Sequence, residues 1–184
     1  MQVIPLSIPE VMFIRGTVHR DLRGFFMESY NQEAFSSATG LAVSFVQDNV
    51  SQSRRGTVRG LHSQTAPRAQ GKLIQVLHGG IWGVAVDVRR QSPTYMRWAP
   101  YSLYAETGAQ VWIPPGFAHG FYALQTFESS LVLYKTTDFY SPRHERRIRW
   151  DDPDLKIDWP FIGDPTLSEA DATAPYLKDM EDYK

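Results

Sequence analysis

Two histidines lie in settings that suit acid–base chemistry. His62 stands in the segment RGLHSQ at residues 59–64, and His119 follows the turn-forming residues 114–116. Glycines flank both, and a glycine lets another backbone or a ligand approach closely. An imidazole titrates near neutral pH, so a ring facing a cavity could act as a base, an acid or a metal ligand. A surface or core position for either ring stays open at this point.

A metal site is disfavoured by the residues near His62. A His-x-His pair would place two ligands on one face of a strand, but the second position is Gln64. Gln70 and Lys72 stand where an acidic ligand would be needed, and an ammonium group would repel the ion. We therefore expect no metal and no other cofactor, and activity that survives EDTA.

Other side chains could complete an acid–base site. Arg23, Arg59 and Lys72 each adjoin a glycine. Arginine binds phosphate through two hydrogen bonds and lysine binds it as a point charge. Tyr134 ends an apolar run, where it could be a core aromatic or a proton donor facing a histidine. Asp171, taken alone, is an ordinary acid at the start of a helix.

The elements that must position these residues are mainly strands. Short apolar runs are separated by Gly, Pro, Asn and Asp, and residues 81–88 alternate with a period of two. We predict a hairpin turn at Gly79-Gly80, a further turn at residues 114–116, and an edge strand at residues 11–14 that could add to a partner's sheet. Short helices are expected at residues 33–39, ending at Gly40, and near Ser168.

Length and composition bound the class of protein. The 184 residues suit one domain, residues 1–184, and many short strands favour a β-sandwich or β-barrel. The chain has no cysteine, which excludes disulfides, thiolate nucleophiles and Cys-ligated zinc. Its net charge of −1 provides no field to attract nucleic acid or an anionic membrane. No membrane span or signal peptide is recognised, so we expect a cytoplasmic location.

An ordered set of segments resembles the dTDP-4-dehydrorhamnose 3,5-epimerase family over nearly the whole chain. Each piece is weak alone, and the order makes the set specific. The segments are residues 21–28 (DLRGFFME), 47–53 (QDNVSQS), 59–64, 71–73, 84–89, 92–94, 115–121 (PGFAHGF), 134–137 (YKTT), 150–153 and 159–160.

The resemblance implies a mainly β, cupin-type double-stranded β-helix (a jelly-roll barrel) with a few short helices, assembled as a homodimer without metal. The implied reaction converts dTDP-4-dehydro-6-deoxy-D-glucose to dTDP-4-dehydro-L-rhamnose through enolates at C3 and C5. By resemblance, His62 is the base, Asp171 orients it, Lys72 stabilises the C4 oxyanion and Tyr134 is the acid on the opposite face. The implied substrate-binding residues are Arg23, Phe26, Glu28, Gln47, Asn49, Arg59, His119, Phe139, which would stack on thymine, and Glu145.

Two departures from the family pattern keep other functions open. Gly83 replaces a common acid, and Ala170 replaces a common substrate-binding lysine. The alternatives are an epimerase acting at C3 or C5 only, a 3,4-ketoisomerase, and a non-catalytic sugar-binding cupin. Tyr134 disfavours the ketoisomerase, because a hydrogen shift on one face needs no acid on the other. The four catalytic residue types together argue against a non-catalytic protein, and the missing ligands argue against a metal-dependent oxygenase.

Overall fold

Two antiparallel β-sheets form the body of the molecule in the computed structural model, which describes residues 1–161 and 163–180. Residues 181–184, the end of the predicted domain, lie outside the described part, as does residue 162. The strands are β1 (Gln2–Pro5), β2 (Met12–Arg15), β3 (Val18–Asp21), β4 (Gly24–Met27), β5 (Gln47–Arg54), β6 (Val58–Gln64), β7 (Lys72–His78), β8 (Gly80–Asp87), β9 (Trp98–Tyr104), β10 (Ala109–Ile113), β11 (Phe117–Ala123), β12 (Ser129–Thr136) and β13 (Glu145–Arg147).

The larger sheet has the order β1-β2-β10-β7-β12-β5 and the smaller one has the order β13-β6-β11-β8-β9. One buried cluster joins their inner faces, with Val76, Val111 and Val132 from the first sheet and Ile81 and Phe121 from the second. The mainly β, cupin-type fold predicted from the sequence is confirmed. Strands β3 and β4 form a separate hairpin.

The outer face of the smaller sheet is also buried. Val84, Val86 and Val88, whose alternation predicted a strand, pack there against Leu155 and Leu177 of the C-terminal segment. Because β8 buries both of its faces, its sequence is almost wholly apolar. The C-terminal segment thereby covers this sheet, and it carries Asp171 towards β6.

Both predicted helices are present, and the first ends and the second begins where the sequence indicates. Helix α1 (Gln32–Thr39) stops at Gly40, which has a φ of 73°. Helix α2 (Glu169–Ala172) begins after Ser168, whose side chain accepts a hydrogen bond from the backbone of Asp171. Two short 3₁₀ helices lie at Ala105–Thr107 and Leu177–Asp179. No helix in the described ranges is long and apolar enough to cross a membrane, and the cytoplasmic location stays a prediction.

Two predictions about strand pairing are wrong. Gly79-Gly80 does not close a hairpin, because β7 and β8 belong to different sheets and the glycines carry the chain across between them. The stretch at residues 11–14 does not provide a free edge, since β2 pairs with β1 on one side and with β10 on the other. The predicted turn before β11 is present, and Gly116 has a φ of 85° there.

Candidate active site

A cavity of about 250 Å³ opens between the two sheets and collects most of the residues singled out from the sequence. Both sheets contribute to its wall, so groups can reach its contents from two sides. The lining residues are Gln47, Asn49, Ser51, Arg59, His62, Ser63, Gln64, Gln70, Lys72, His119, Phe121, Tyr134, Tyr140 and Glu145.

His62 and Asp171 form a close pair at the edge of this cavity. His62 lies on β6 in register with His119 on β11, so both imidazoles point to the same side of the sheet. Nε2 of His62 is 2.6 Å from Oδ1 of Asp171, whose side chain is 6% exposed. The Ser168 hydroxyl donates to Oδ2 at 2.9 Å. The helix cap therefore fixes the carboxylate that holds the imidazole.

The electrostatics of this pair determine which of the two residues donates the hydrogen bond between them. Burial raises the pKa of Asp171, but hydrogen bonds from His62 and Ser168 and nearby positive charge outweigh burial, and the net pKa is lowered. An ionised carboxylate only accepts hydrogen bonds, so Nε2 of His62 is the donor. Nδ1 of His62 is left with the free lone pair that a base requires.

Lys72 supplies a buried cation. It is the first residue of β7, it is 7% exposed, and no hydrogen bond to its ammonium group is found within residues 1–161 and 163–180. Burial lowers the pKa of Lys72 to about 7, although the Glu145 carboxylate acts in the opposite direction. A buried cation without a bonded partner is costly, so its position favours an anion entering the cavity.

Tyr134 reaches the cavity from the sheet opposite His62. It lies on β12, and its ring centroid is 6.4 Å from that of His119. Burial raises the pKa of Tyr134, and the nearby Glu145 carboxylate adds to this while Arg59 opposes it. The phenol is therefore protonated at neutral pH and can give a proton.

The polar wall holds its own side chains in place. Arg59 donates from Nε to the Ser53 hydroxyl at 2.8 Å, and the Gln47 amide donates to Oδ1 of Asn49 at 2.9 Å. The Tyr140 hydroxyl donates to Glu145 at 3.2 Å. These contacts leave a polar surface suited to sugar and phosphate oxygens.

Gly60 explains how two residues three apart share the cavity. In a regular strand, Arg59 and His62 would point to opposite faces. The register between β6 and β11 shifts here, and Gly60 has a φ of +111°. A Cβ on Gly60 would lie 2.6 Å from the His119 carbonyl oxygen. The close approach that this glycine allows is thus to β11, not to a ligand.

Four of the predicted substrate-binding residues lie outside the cavity of their own chain. Arg23 and Phe26 belong to the β3–β4 hairpin, where the Arg23 side chain is 90% exposed and pairs with Asp21 at 2.6 Å. Glu28 follows the hairpin and accepts a hydrogen bond from Asn31 at 3.2 Å. Phe139 is exposed beside the cavity, and its carbonyl accepts from Gln64.

Several lining residues were missed by sequence reasoning. From the sequence, Gln64 stands out only because it occupies the position where a second histidine ligand would be needed. In the structure its side chain accepts a hydrogen bond from the Ser141 backbone at 2.7 Å and donates one to the Arg68 carbonyl at 2.6 Å. Tyr140 follows Phe139 directly, and no signal in the sequence separates the two aromatic residues. Among the described residues, no group of three His, Cys, Asp or Glu side chains could hold a metal ion. The absence of a metal requirement stays a prediction.

The fold and the cavity define a cupin-type protein equipped with acid–base groups on two opposing walls. Comparison with known proteins gives the family. The model of the dTDP-4-dehydrorhamnose 3,5-epimerase family matches residues 5–179. The chain therefore belongs to the dTDP-4-dehydrorhamnose 3,5-epimerase family.

Individual relatives match this chain over almost its full length. The dTDP-4-dehydrorhamnose 3,5-epimerase of Pseudomonas aeruginosa is 51% identical over 181 residues, which is 98% of each chain. The crystal structure of the Legionella pneumophila 3,5-epimerase in complex with dTDP-4-keto-L-rhamnose is 42% identical with a TM-score of 0.93, covering 98% of this chain and 94% of that one. A 3'-monoepimerase from Streptomyces bikiniensis in complex with dTDP-quinovose is 34% identical with a TM-score of 0.88, covering 97% and 88%.

Proposed function

We propose that this protein epimerises C3 and C5 of dTDP-4-dehydro-6-deoxy-D-glucose and so forms dTDP-4-dehydro-L-rhamnose. The observation that carries the proposal is the placement of His62 and Tyr134 on opposing sheets around one cavity. Inversion at a carbon requires a proton to leave from one face and another to arrive at the opposite face. A base and an acid on the same wall would return the proton to the face it left.

The chemistry follows from the C4 ketone of the substrate. Hydrogens at C3 and C5 are α to this ketone, so removal of either leaves an enolate. His62 takes the proton at Nδ1, and Asp171 stabilises the resulting imidazolium across their 2.6 Å contact. Lys72 stabilises the developing oxyanion, as a positive charge aimed at it should. Tyr134 then protonates the enolate from the other wall, and the cycle repeats at the second carbon.

Product stereochemistry tests this proposal. NMR of the sugar nucleotide formed from dTDP-4-dehydro-6-deoxy-D-glucose should give ring-proton couplings for inversion at both C3 and C5. Inversion at one carbon would overturn the two-carbon reaction in favour of a mono-epimerase, an activity that the same fold supports in Streptomyces bikiniensis. Migration of the ketone would identify a ketoisomerase, and binding without turnover would identify a sugar-binding protein.

Replacing Asp171 with Asn tests the orienting pair. The amide cannot stabilise an imidazolium as a carboxylate does, and hydrogen bonds to charged groups are worth about 1.5–3 kcal/mol. We expect kcat to fall about 10- to 100-fold with little change in KM. Glu169→Gln, which removes an exposed acid from the same helix, is the matched control. An Asp171→Asn variant as active as the control would remove Asp171 from the mechanism.

Replacing Tyr134 with Phe separates proton removal from inversion. Abstraction by His62 does not need the phenol, but protonation from the opposite wall does. The variant should lose about 10²–10⁴-fold in product formation, the range for one positioned acid. In D₂O, the recovered substrate should still gain deuterium. Product formation close to the wild-type rate would show that another group is the acid.

We propose that the protein is a homodimer in which the β3–β4 hairpin of each chain completes the partner's site. The hairpin carries Arg23 and Phe26, which the family resemblance assigns to the substrate, yet both lie outside the cavity of their own chain. Leu22, Phe25 and Phe26 are also exposed there, at 108%, 57% and 71%. Clustered exposed apolar side chains of this kind commonly mark a contact surface.

Mixed dimers test this arrangement. A dimer that combines a His62→Ala chain with an Arg23→Ala chain would place both defects in one site and leave the other intact. We expect such heterodimers, isolated through two different tags, to regain about half of the wild-type activity. Activity no higher than the mean of the two variant homodimers would contradict the shared site. A solution mass near 21.0 kDa would contradict the dimer itself.

A further inference from the structure

Three buried polar side-chain atoms in the described part of the chain have no hydrogen-bond partner. They are Oγ of Ser51, Oη of Tyr101 and Nδ1 of His119. Buried polar atoms are almost always bonded to protein or to ordered water, so each exception needs an explanation. Two of the three, on Tyr101 and His119, lie in one sheet and face the same space between the sheets.

Tyr101 occupies space that a side chain at position 83 would need. A Cβ built on Gly83 would lie 2.4 Å from Cε2 and Cζ of Tyr101 and 2.6 Å from its hydroxyl oxygen. The ring therefore lies across Gly83, and Tyr101 is 5% exposed. Burial raises the pKa of Tyr101, so the phenol keeps its proton and is available as a donor.

The strand register directs this phenol towards His119. Gly83 on β8 pairs with Tyr101 on β9 and with Phe121 on β11. His119 is two residues from Phe121, so both point into the cavity from the same face. Position 83 and His119 are diagonal neighbours, a relation that corresponds to about 7–8 Å. The phenol spans part of that distance, and the two unpaired atoms leave room for one bridging water between them.

We propose that Tyr101 is a positioning residue for His119. Its hydroxyl donates to one buried water, and that water donates to Nδ1 of His119 and so holds the imidazole proton on Nε2. A water joined to two such groups would satisfy both unpaired atoms at once. Burial, with the charges of Lys72 and His62, lowers the pKa of His119 well below its usual range, so the ring is neutral and has one donor nitrogen.

The tautomer determines what His119 offers to a ligand. With the bridging water as the donor, Nε2 presents an N–H group to the cavity. His119 is thereby suited to an oxygen acceptor, such as a ketone or phosphate oxygen. The identity of that ligand rests on the proposed function, whereas the tautomer does not.

The tautomer is measurable in the substrate-free protein by two-bond ¹H–¹⁵N NMR with ¹⁵N-labelled histidine. The His119→Asn variant assigns the signal. We expect the wild type to carry the proton on Nε2 of His119, and Tyr101→Phe to shift the ring to a mixture of tautomers. Tyr122→Phe, which removes a phenol from β11 on the opposite face, should leave the signal unchanged. Should Tyr101→Phe not fold, Gly83→Ala displaces the same phenol through its Cβ.

Kinetics provide a second readout. Loss of one neutral hydrogen bond corresponds to about two- to tenfold, which we expect as a rise in KM with kcat nearly unchanged. A proton on Nδ1 of His119 in the wild type, or an unchanged His119 signal in Tyr101→Phe, would overturn the proposal. Because the NMR experiment uses no substrate, a different reaction specificity would leave this test intact.

Discussion

Replacing His62 with Ala should lower kcat by about 10²–10⁴-fold, the contribution of one positioned base. It should also stop deuterium uptake at both C3 and C5. In the proposed mechanism a single imidazole serves both carbons, and its Nδ1 lone pair is the base because Asp171 holds Nε2 at 2.6 Å. NMR of the sugar after incubation in D₂O measures both exchange rates in one experiment.

The matched control for this variant is His78→Ala. His78 is exposed at the end of β7 and lies outside the cavity. The His78→Ala variant should exchange the protons at C3 and C5 at the wild-type rate. Exchange at either carbon in His62→Ala at close to that rate would contradict the single-base mechanism. His119, which lies opposite His62 in the strand register, would then be the first candidate for the second base.

Replacing Lys72 with Met should reduce activity and stabilise the fold. Removing one group that stabilises an oxyanion typically costs about 10²–10³-fold in kcat. The stability gain has a separate cause, because Met fills a similar volume without bringing a charge into a buried site. Wild-type Lys72 loses solvation with no bonded partner, a cost on the order of a few kcal/mol.

The pH dependence gives the sign of this stability effect. The pKa of Lys72 is about 7 in the folded chain against 10.5 for an unperturbed lysine. Between these values the unfolded chain binds more protons, so the wild type gains stability as pH rises through this window. In urea unfolding, the free energy of unfolding of Lys72→Met should therefore exceed that of the wild type by the largest amount near pH 7. This difference should shrink as the pH approaches 10.5.

Lys135→Met is the control for charge removal. Lys135 pairs with Asp48 at 2.8 Å, so its loss should cost up to about 1 kcal/mol and give no stabilisation. A Lys72→Met variant that is less stable than the wild type near pH 7 would contradict a buried, unpaired cation. Unchanged kcat would contradict its role at the oxyanion.

Local sequence patterns predicted the individual elements well. The alternation in β8 reflects real burial on the outer face of the smaller sheet, and Gly40 and Ser168 mark helix ends because their backbone and side-chain chemistry is local. The ordered motifs gave the family, and eight of the predicted site residues line one cavity: Gln47, Asn49, Arg59, His62, Lys72, His119, Tyr134 and Glu145. Asp171 joins them through its contact with His62.

The wrong strand-pairing predictions, and the features that the sequence did not predict, depend on relations between distant parts of the chain. Gly79-Gly80 looks the same to a local reading whether it joins paired strands or carries the chain between sheets. The irregular register beside Gly60 puts Arg59 and His62 on one face, against a period of two. The Tyr101 ring lies over Gly83 because β8 and β9 are paired in the sheet, and no local sequence motif predicts this contact. Arg23 and Phe26 need a second chain to meet a substrate in the proposed dimer.

The most direct test of the central claim is the deuterium content of the product made by the wild type in D₂O. One active site that inverts both carbons through enolates must place solvent hydrogen at C3 and at C5. Mass spectrometry and NMR should therefore find deuterium at both positions of dTDP-4-dehydro-L-rhamnose. Deuterium at only one carbon would contradict the two-carbon mechanism, and inversion without any deuterium would contradict proton exchange through an enolate.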